Sequence, residues 1–230
     1  MDTLSALWDA LNNRTQHIDE PMNPLSITLA GLPALLYAER AIYFPTLGTL
    51  MLTDTHFGKT AALRNRSNAQ PDGDIAQDIQ RLDRLIAAAN PEQLILLGDL
   101  VHGGNGYDRQ VLSQVSQWAD SHLGLPMKLV RGNHDWAAGD PPEGWGIECV
   151  NAPHVFPPFV LSHFPKPDPR GYVLAGHLHP AGLLLKENRQ RFKLPCFWFG
   201  DRVGVLPAFG GFVSHMVVHP ARQDQSYVVN

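Results

Sequence analysis

Asp54-Thr-His56, Gly98-Asp99-Leu-Val-His102, Gly132-Asn133-His134-Asp135, Ser162-His163 and Gly176-His177-Leu-His179 gather carboxylate, amide and imidazole donors into five short segments. Seven side chains in them, Asp54, His56, Asp99, Asn133, His163, His177 and His179, offer oxygen or nitrogen and no sulfur. That set suits divalent Mn, Fe or Zn, whereas so many imidazoles disfavour Mg. Two cations about 3.5–4 Å apart need a bridging ligand, which a carboxylate can be. Asp99 is the candidate bridge. Such a pair lowers the pKa of a water and neutralises a phosphoryl group, so the chemistry indicated is phosphoester hydrolysis by a metal-activated hydroxide. His134, beside a candidate ligand and not needed as one, is the candidate general acid or transition-state stabiliser. His102, three residues after Asp99, is placed at the rim. Asp135 either orients an imidazole or caps a helix.

Each segment follows an apolar run of strand length, over 49–53, 93–97, 127–130, 159–162 and 172–175. Ligands of open α/β sheets collect at such C-terminal strand ends. In an extended segment residues i and i+2 point the same way, which pairs Asp54 with His56 on one cation. His177 and His179 pair similarly, or divide between two cations. Glycine before Asp99, Asn133 and His177 permits a sharp turn or close approach. Ile75, Ile79, Leu82 and Ile86 predict a helix over 72–89, capped by Asp72 or Asp74, and Val111, Val115 and Trp118 a second over 108–122. Further strands are predicted over 26–30 and 41–44, and, past Pro142, over 195–199 and 212–218. The expected class is α/β (α+β), two sheets packed together with helices outside and rim loops at 103–106 and 139–142.

Leu4, Leu7, Trp8 and Leu11 predict an amphipathic helix which, with a linker, occupies residues 1–24 ahead of a single domain over 25–230. That helix packs on the body or on a second copy in a homo-oligomer. No apolar run nears the ~20 residues of a membrane span, and the N-terminus lacks a secretion signal, so cytoplasmic residence is expected. Cys149 and Cys196 read as free thiols. The formal net charge of −4 argues against binding nucleic acid by bulk electrostatics. Lys59, Arg64 and Arg66, just after the first segment, are the candidate substrate-binding cations. Lys186, Arg189, Arg191 and Lys193 read as a solvated hairpin tip. His17, His122, His154, His215 and His219 are assigned no role.

The motifs D-x-H, G-D-x-x-H, G-N-H-D, a lone H and G-H-x-H resemble those of the calcineurin-like metallophosphoesterase superfamily, from about residue 26 to the C-terminus. With Lys59, Val130-Arg131, Leu194-Pro-Cys-Phe-Trp-Phe-Gly200 and Val205-Leu-Pro-Ala-Phe-Gly210 added, the chain resembles the bacterial ligase-associated DNA damage response endonuclease branch. The resemblance implies a four-layer αββα sandwich of two mixed sheets and a dinuclear centre, usually loaded with Mn. It implies Asp54, His56, Asp99 and His179 on one metal and Asp99, Asn133, His163 and His177 on the other, with His134 near the scissile phosphate. It also implies a DNA-repair setting alongside a DNA ligase, a helicase and an exonuclease. Protein phosphatases of the superfamily carry G-D-x-x-D-R-G. Here His102 takes the second Asp position without a following Arg, as in the superfamily's double-strand-break repair nuclease, where that His assists DNA processing. The function expected is a metal-dependent phosphodiesterase on nucleic acid, endonuclease-like. The alternatives are a phosphodiesterase or phosphatase for a small nucleotide, and a non-catalytic metal-binding scaffold.

Overall fold

Alternation along three short strands decides how the chain layers. The computed structural model describes residues 15–18, 23–59, 75–103, 107–185, 191–211 and 213–229. In β5 (Thr49–Leu52), β6 (Gln93–Leu96) and β7 (Met127–Val130), Leu50, Leu52, Leu94, Leu96, Met127 and Leu129 face one core. The intervening Met51 and Ile95, with Leu97 and Val130, face another. Strands that are apolar on both faces must be covered on both.

The first core is closed by α1 (Ile75–Ala89) and α2 (Arg109–Ser121), through Ile75, Leu82, Leu85, Val111, Val115 and Trp118. Asp108 starts α2 by accepting the Val111 amide at 2.8 Å. The cap expected at Asp72 or Asp74 lies outside the described residues.

The second core joins two mixed sheets. One runs β2 (Leu25–Leu29), β3 (Leu32–Tyr37), β4 (Ala41–Phe44), β5, β6, β7, β8 (Ile147–Val150). It is antiparallel up to β5 and parallel from β5 to β8. The other, among the described residues, runs β1 (Thr15–Ile18), β16 (Gln225–Val229), β13 (Arg191–Phe199), β14 (Val203–Val205), β11 (Tyr172–Ala175), β10 (Phe159–Leu161), β9 (His154–Phe156). On it β12 (Pro180–Leu185) and β15 (Met216–Val217) form a branch. Phe44, Phe159, Phe197 and Phe199 fill the interface, the rings of Phe44 and Phe159 4.7 Å apart. The α/β sandwich expected from the sequence is therefore observed. On the far side of the second sheet lie small clusters around Val160, Val173 and Ala175 and around Cys196, Val218 and Val228. Both cysteines are free, and burial pushes the thiols up, Cys149 to about 11 and Cys196 to about 12.

Three local expectations are corrected. Strand β3 stands where the pattern predicts none, because Ala30 (φ 49°) and Gly31 (φ 81°) form a two-residue left-handed turn. Alanine in its first position hides the usual Asn-Gly or Asp-Gly signal. Of the strand predicted over 212–218, among the described residues only Met216–Val217 pairs, against Pro180 and Ala181. Within the segment read as helix and linker, Thr15–Ile18 pairs parallel to β16, Thr15 with Ser226 through Ile18 with Val229. Leu4, Leu7, Trp8 and Leu11 of the expected amphipathic helix lie outside the described residues, as do Lys186 and Arg189. Arg191 and Lys193 are exposed on the β12–β13 hairpin. Replacing the α2 cap, Asp108→Ala, should lower unfolding free energy by about 1 kcal/mol, read as a shifted denaturant midpoint with unchanged slope.

Candidate metal centre

The ladder of the first sheet continues past the ends of β5 and β6. Asp54 and His56 donate their amides to Gly98 and Asp99 carbonyls, and the His102 amide returns to Phe57. The segments are not extended, as the sequence reading assumed. Asp54 (φ 54°), His56 (46°), Asp99 (54°), His177 (70°) and His179 (46°) all hold left-handed backbone. Each such residue costs about 1–3 kcal/mol and persists only where its surroundings dictate it. Two glycines allow the crowding that follows. A Cβ on Gly132 would lie 2.3 Å from Asp99 Oδ1, and one on Gly176 1.9 Å from Thr53 Oγ1 and 2.5 Å from Asp54 Oδ2.

The bends collect ligand atoms into two groups. Those of Asp54, His56 and His179 lie within 4.8 Å of one another, as do those of Asp99, His163 and His177. His177 and His179 thus divide between the groups. In the first, His179 Nε2 is 3.1 Å from Asp54 Oδ1 and 3.3 Å from His56 Nε2. In the second, His163 Nε2 is 3.2 Å from Asp99 Oδ2 and 3.2 Å from His177 Nδ1. Asp99 Oδ2 also lies 3.9 Å from His56 Nε2, between the groups. Asp54 Oδ1 makes the matching approach to His163 Nε2, also at 3.9 Å.

These donors fit a divalent cation. His163 Nδ1 donates to Leu97 O and His179 Nδ1 to Ser214 O, both at 2.8 Å, leaving each Nε2 a lone pair. Asp54 Oδ2 accepts Thr53 Oγ1 and the His177 amide, both at 2.9 Å. Its Oδ1 is buried without a hydrogen bond, 3.1 Å from the His179 Nε2 that carries no proton in this tautomer. Lone pairs facing one another across 3.2–3.3 Å need a proton or a cation between them.

Electrostatics agree. Burial pushes the Asp54 carboxyl up, but the adjacent His179 and the charges of His163 and His56 outweigh it and hold it low. Asp99 is held low against burial by His163, the His134 amide and His56. Burial lowers His56 to about 3, against the pull of Asp54 and Asp99. His163 rises to about 8, because Asp99 and Asp54 more than offset its burial.

Around the groups stand residues that sequence reasoning missed or left open. Asp135, left between two roles, accepts the Asp99, Leu100 and Gly132 amides at 2.7–2.9 Å and ties the ends of β6 and β7 together. Phe209 and Gly210 donate to the Thr53 and Asp54 carbonyls. Their loop is held by Arg40 on the Ala208 and Gly210 carbonyls, by Arg81 on that of Phe209, and by Asp78 under the Gly211 amide. Only the proximity of 205–210 in the branch resemblance could have pointed to this loop.

The other predicted residues fall as follows. Asn133, exposed, opens α3 (Asn133–Ala138), and the next amide, of His134, donates to Asp99 Oδ1 at 2.9 Å. His134 Nε2 is 3.9 Å from Asp99 Oδ2. His102 stacks on His134 with centroids 4.8 Å apart, and its Nδ1 is 3.4 Å from His56 Nδ1. Those three imidazoles form a further group of close ligand atoms. Lys59 is half-buried near Asp54 and Asp99; burial lowers its pKa and the two carboxylates partly restore it. Arg64 and Arg66 lie outside the described residues.

Comparison with known proteins gives two positive findings. A family model for calcineurin-like phosphoesterases matches residues 49–194. The crystal structure of Pseudomonas putida nuclease MPE is similar at a TM-score of 0.81 and 39% identity, covering 90% of this chain and 97% of that one. A search of curated proteins finds no match.

Two outcomes follow from the geometry. Gly176→Ala should destabilise by about 1–3 kcal/mol, read by denaturant unfolding, because its Cβ has no room beside Thr53 and Asp54. In EDTA, thermal stability should peak near pH 6.5. The raised His163 contributes stability that is complete below 6.5 and lost as pH rises through about 8. The depressed His56 contributes stability that is complete above 6.5 and lost as pH falls toward about 3. A melting temperature that stays flat between pH 6.5 and 8 contradicts this account.

Proposed function

The chain belongs to the calcineurin-like phosphoesterase family of metal-dependent hydrolases, and on that premise we propose a two-metal phosphodiesterase acting on nucleic acid. The observation that carries this reading is the pair of facing groups, Asp54–His56–His179 and Asp99–His163–His177, with Asp99 Oδ2 between them. In the proposed assignment Asp54, His56, Asp99 and His179 hold one cation. Asp99, Asn133, His163 and His177 hold the other. Mn suits the set, with Fe or Zn next and Mg less so. Two bound cations supply an activated water and neutralise phosphoryl charge.

The chain's own residues do the rest. Leu97 and Ser214 carbonyls keep His163 and His179 in the tautomers that ligate through Nε2. Asp135 holds the Asp99 and His134 segments at fixed separation. His134, beside Asp99, offers a proton at Nε2 to the leaving oxygen, with His102 stacked on it as a partner at the rim. Lys59 faces the carboxylates and is the proposed phosphate contact in the described chain, with Arg64 and Arg66 beyond it.

A nucleic-acid substrate is supported by the likeness to the Pseudomonas putida nuclease. The branch motifs support a DNA-repair setting in the cytoplasm, alongside a DNA ligase, a helicase and an exonuclease. Among the described residues no helix is long and apolar enough to cross a membrane. A small-nucleotide substrate is the second reading, favoured by the net charge of −4.

Under Mn, the chain should cleave an aryl phosphodiester and an oligonucleotide in preference to an aryl phosphomonoester, and EDTA should abolish both activities. Turnover of cyclic or free nucleotides alone selects the second reading. His134→Ala should lower kcat by about 10²–10⁴-fold with two metals per chain retained by elemental analysis. Full turnover in that variant removes His134 from catalysis.

A further inference from the structure

Trp136 and Phe164 are 64% and 45% exposed, and both adjoin the candidate centre. Single exposed apolar residues are ordinary on a protein surface and signify nothing alone. These two differ in placement and mounting. Trp136 lies three residues along α3 from Asn133, one turn on the same side of the helix. Its ring has the Arg131 guanidinium 5.5 Å from its centroid. That guanidinium is itself fixed, by a fork onto Asp140 at 2.7 Å on both oxygens and by Asn151 at 2.8 Å. Phe164 follows His163 directly, and its ring stands edge-on to His177 at 4.5 Å and to His163 at 5.3 Å. Each aromatic is thus held by a planar neighbour on one side while much of its surface stays exposed.

A surface with a net charge of −4 gains little from bulk attraction to phosphate. Stacking is the other general source of affinity for nucleic acid. It asks for rigid, exposed aromatic faces, and it tolerates any sequence because every base has a π face. From this we infer that Trp136 and Phe164 are stacking positions for the bases that flank the scissile phosphodiester. The inference rests on the nucleic-acid reading above and names the residues that recognise the base rather than the phosphate.

The test uses the full chain with Mn and two single-stranded oligonucleotides, one with all its bases and one with abasic residues on both sides of a defined cleavage position. Wild type should show a KM about a hundredfold higher for the abasic strand, within the range that two stacked bases supply. Trp136→Ala and Phe164→Ala should each raise KM for the complete strand by about tenfold. On the abasic strand they should add less than twofold, and Trp136→Phe should recover most of the loss. In EDTA, the tryptophan quenching that the complete strand produces should shrink in Trp136→Ala. Unchanged KM in both alanine variants overturns the inference, as does an equal loss on both strands, which marks a structural effect. Hydrolysis of an aryl phosphodiester without cleavage of either strand by wild type instead overturns the nucleic-acid reading beneath it.

Discussion

Five residues of the candidate centre hold φ between +46° and +70°, and four of the five lie two apart, in D-x-H and H-x-H. Left-handed backbone at Asp or His is costly in isolation, so the centre depends on whatever enforces it. Enforcement comes from both sheets. The amides of Asp54 and His56 are committed to the neighbouring strand end, and the amide of Gly210 to the Asp54 carbonyl. The His177 amide crosses from the second sheet to Asp54 Oδ2. The Asp54 bend thus draws its partners from both sheets, and the donors meet at the seam and not on one sheet alone.

The same seam explains how so many ionisable groups are tolerated. Two carboxylates, Asp54 and Asp99, and two imidazoles, His56 and His163, are buried where unpaired charge is expensive, with His177 and His179 partly exposed beside them. Imidazole lone pairs and carboxylate oxygens face inward, and the outward nitrogens of His163 and His179 are occupied by carbonyls. Such an arrangement is poor for a core and good for a cation. Its cost is offset by the two apolar layers behind it, where Leu50, Leu52, Leu94 and Leu96 pack on helices and Met51, Ile95 and Leu97 on the opposing sheet. Rigidity is supplied where side chains are fully buried, and chemistry where the strands run out.

Asp135 shows how a single side chain links these levels. As the third residue of α3 it accepts the amide of Gly132, the residue that caps the helix, which is one half of a capping box. Its two oxygens also reach the Asp99 and Leu100 amides, so the helix start, the candidate bridging carboxylate and the His134 segment move as one unit. The helix cap and the frame of the candidate centre are the same hydrogen bonds here. The Arg40 and Arg81 grip on the 208–210 carbonyls does the equivalent job for the Asp54 segment from the opposite side.

Much of this was legible in the residues alone. Donor types name the chemistry, and apolar runs before them name strand ends, because periodicity and burial are local consequences of side-chain type. Residue type also sets the helices over 75–89 and 109–121, through spacing and the Asp108 cap. What could not be read was every relation between distant segments. An extended D-x-H would point two donors one way, and the bend that actually orients them is imposed by contacts some 45 and 120 residues distant. The division of His177 and His179 between two groups and the three amides on Asp135 belong to the same class, as do the loop over 206–211 and the strand at Ala30-Gly31. Sequence alone determined which atoms are available for chemistry and roughly where each strand ends. Tertiary structure alone decided which of them meet, because that depends on two sheets packing face to face, and no local pattern encodes the register between them.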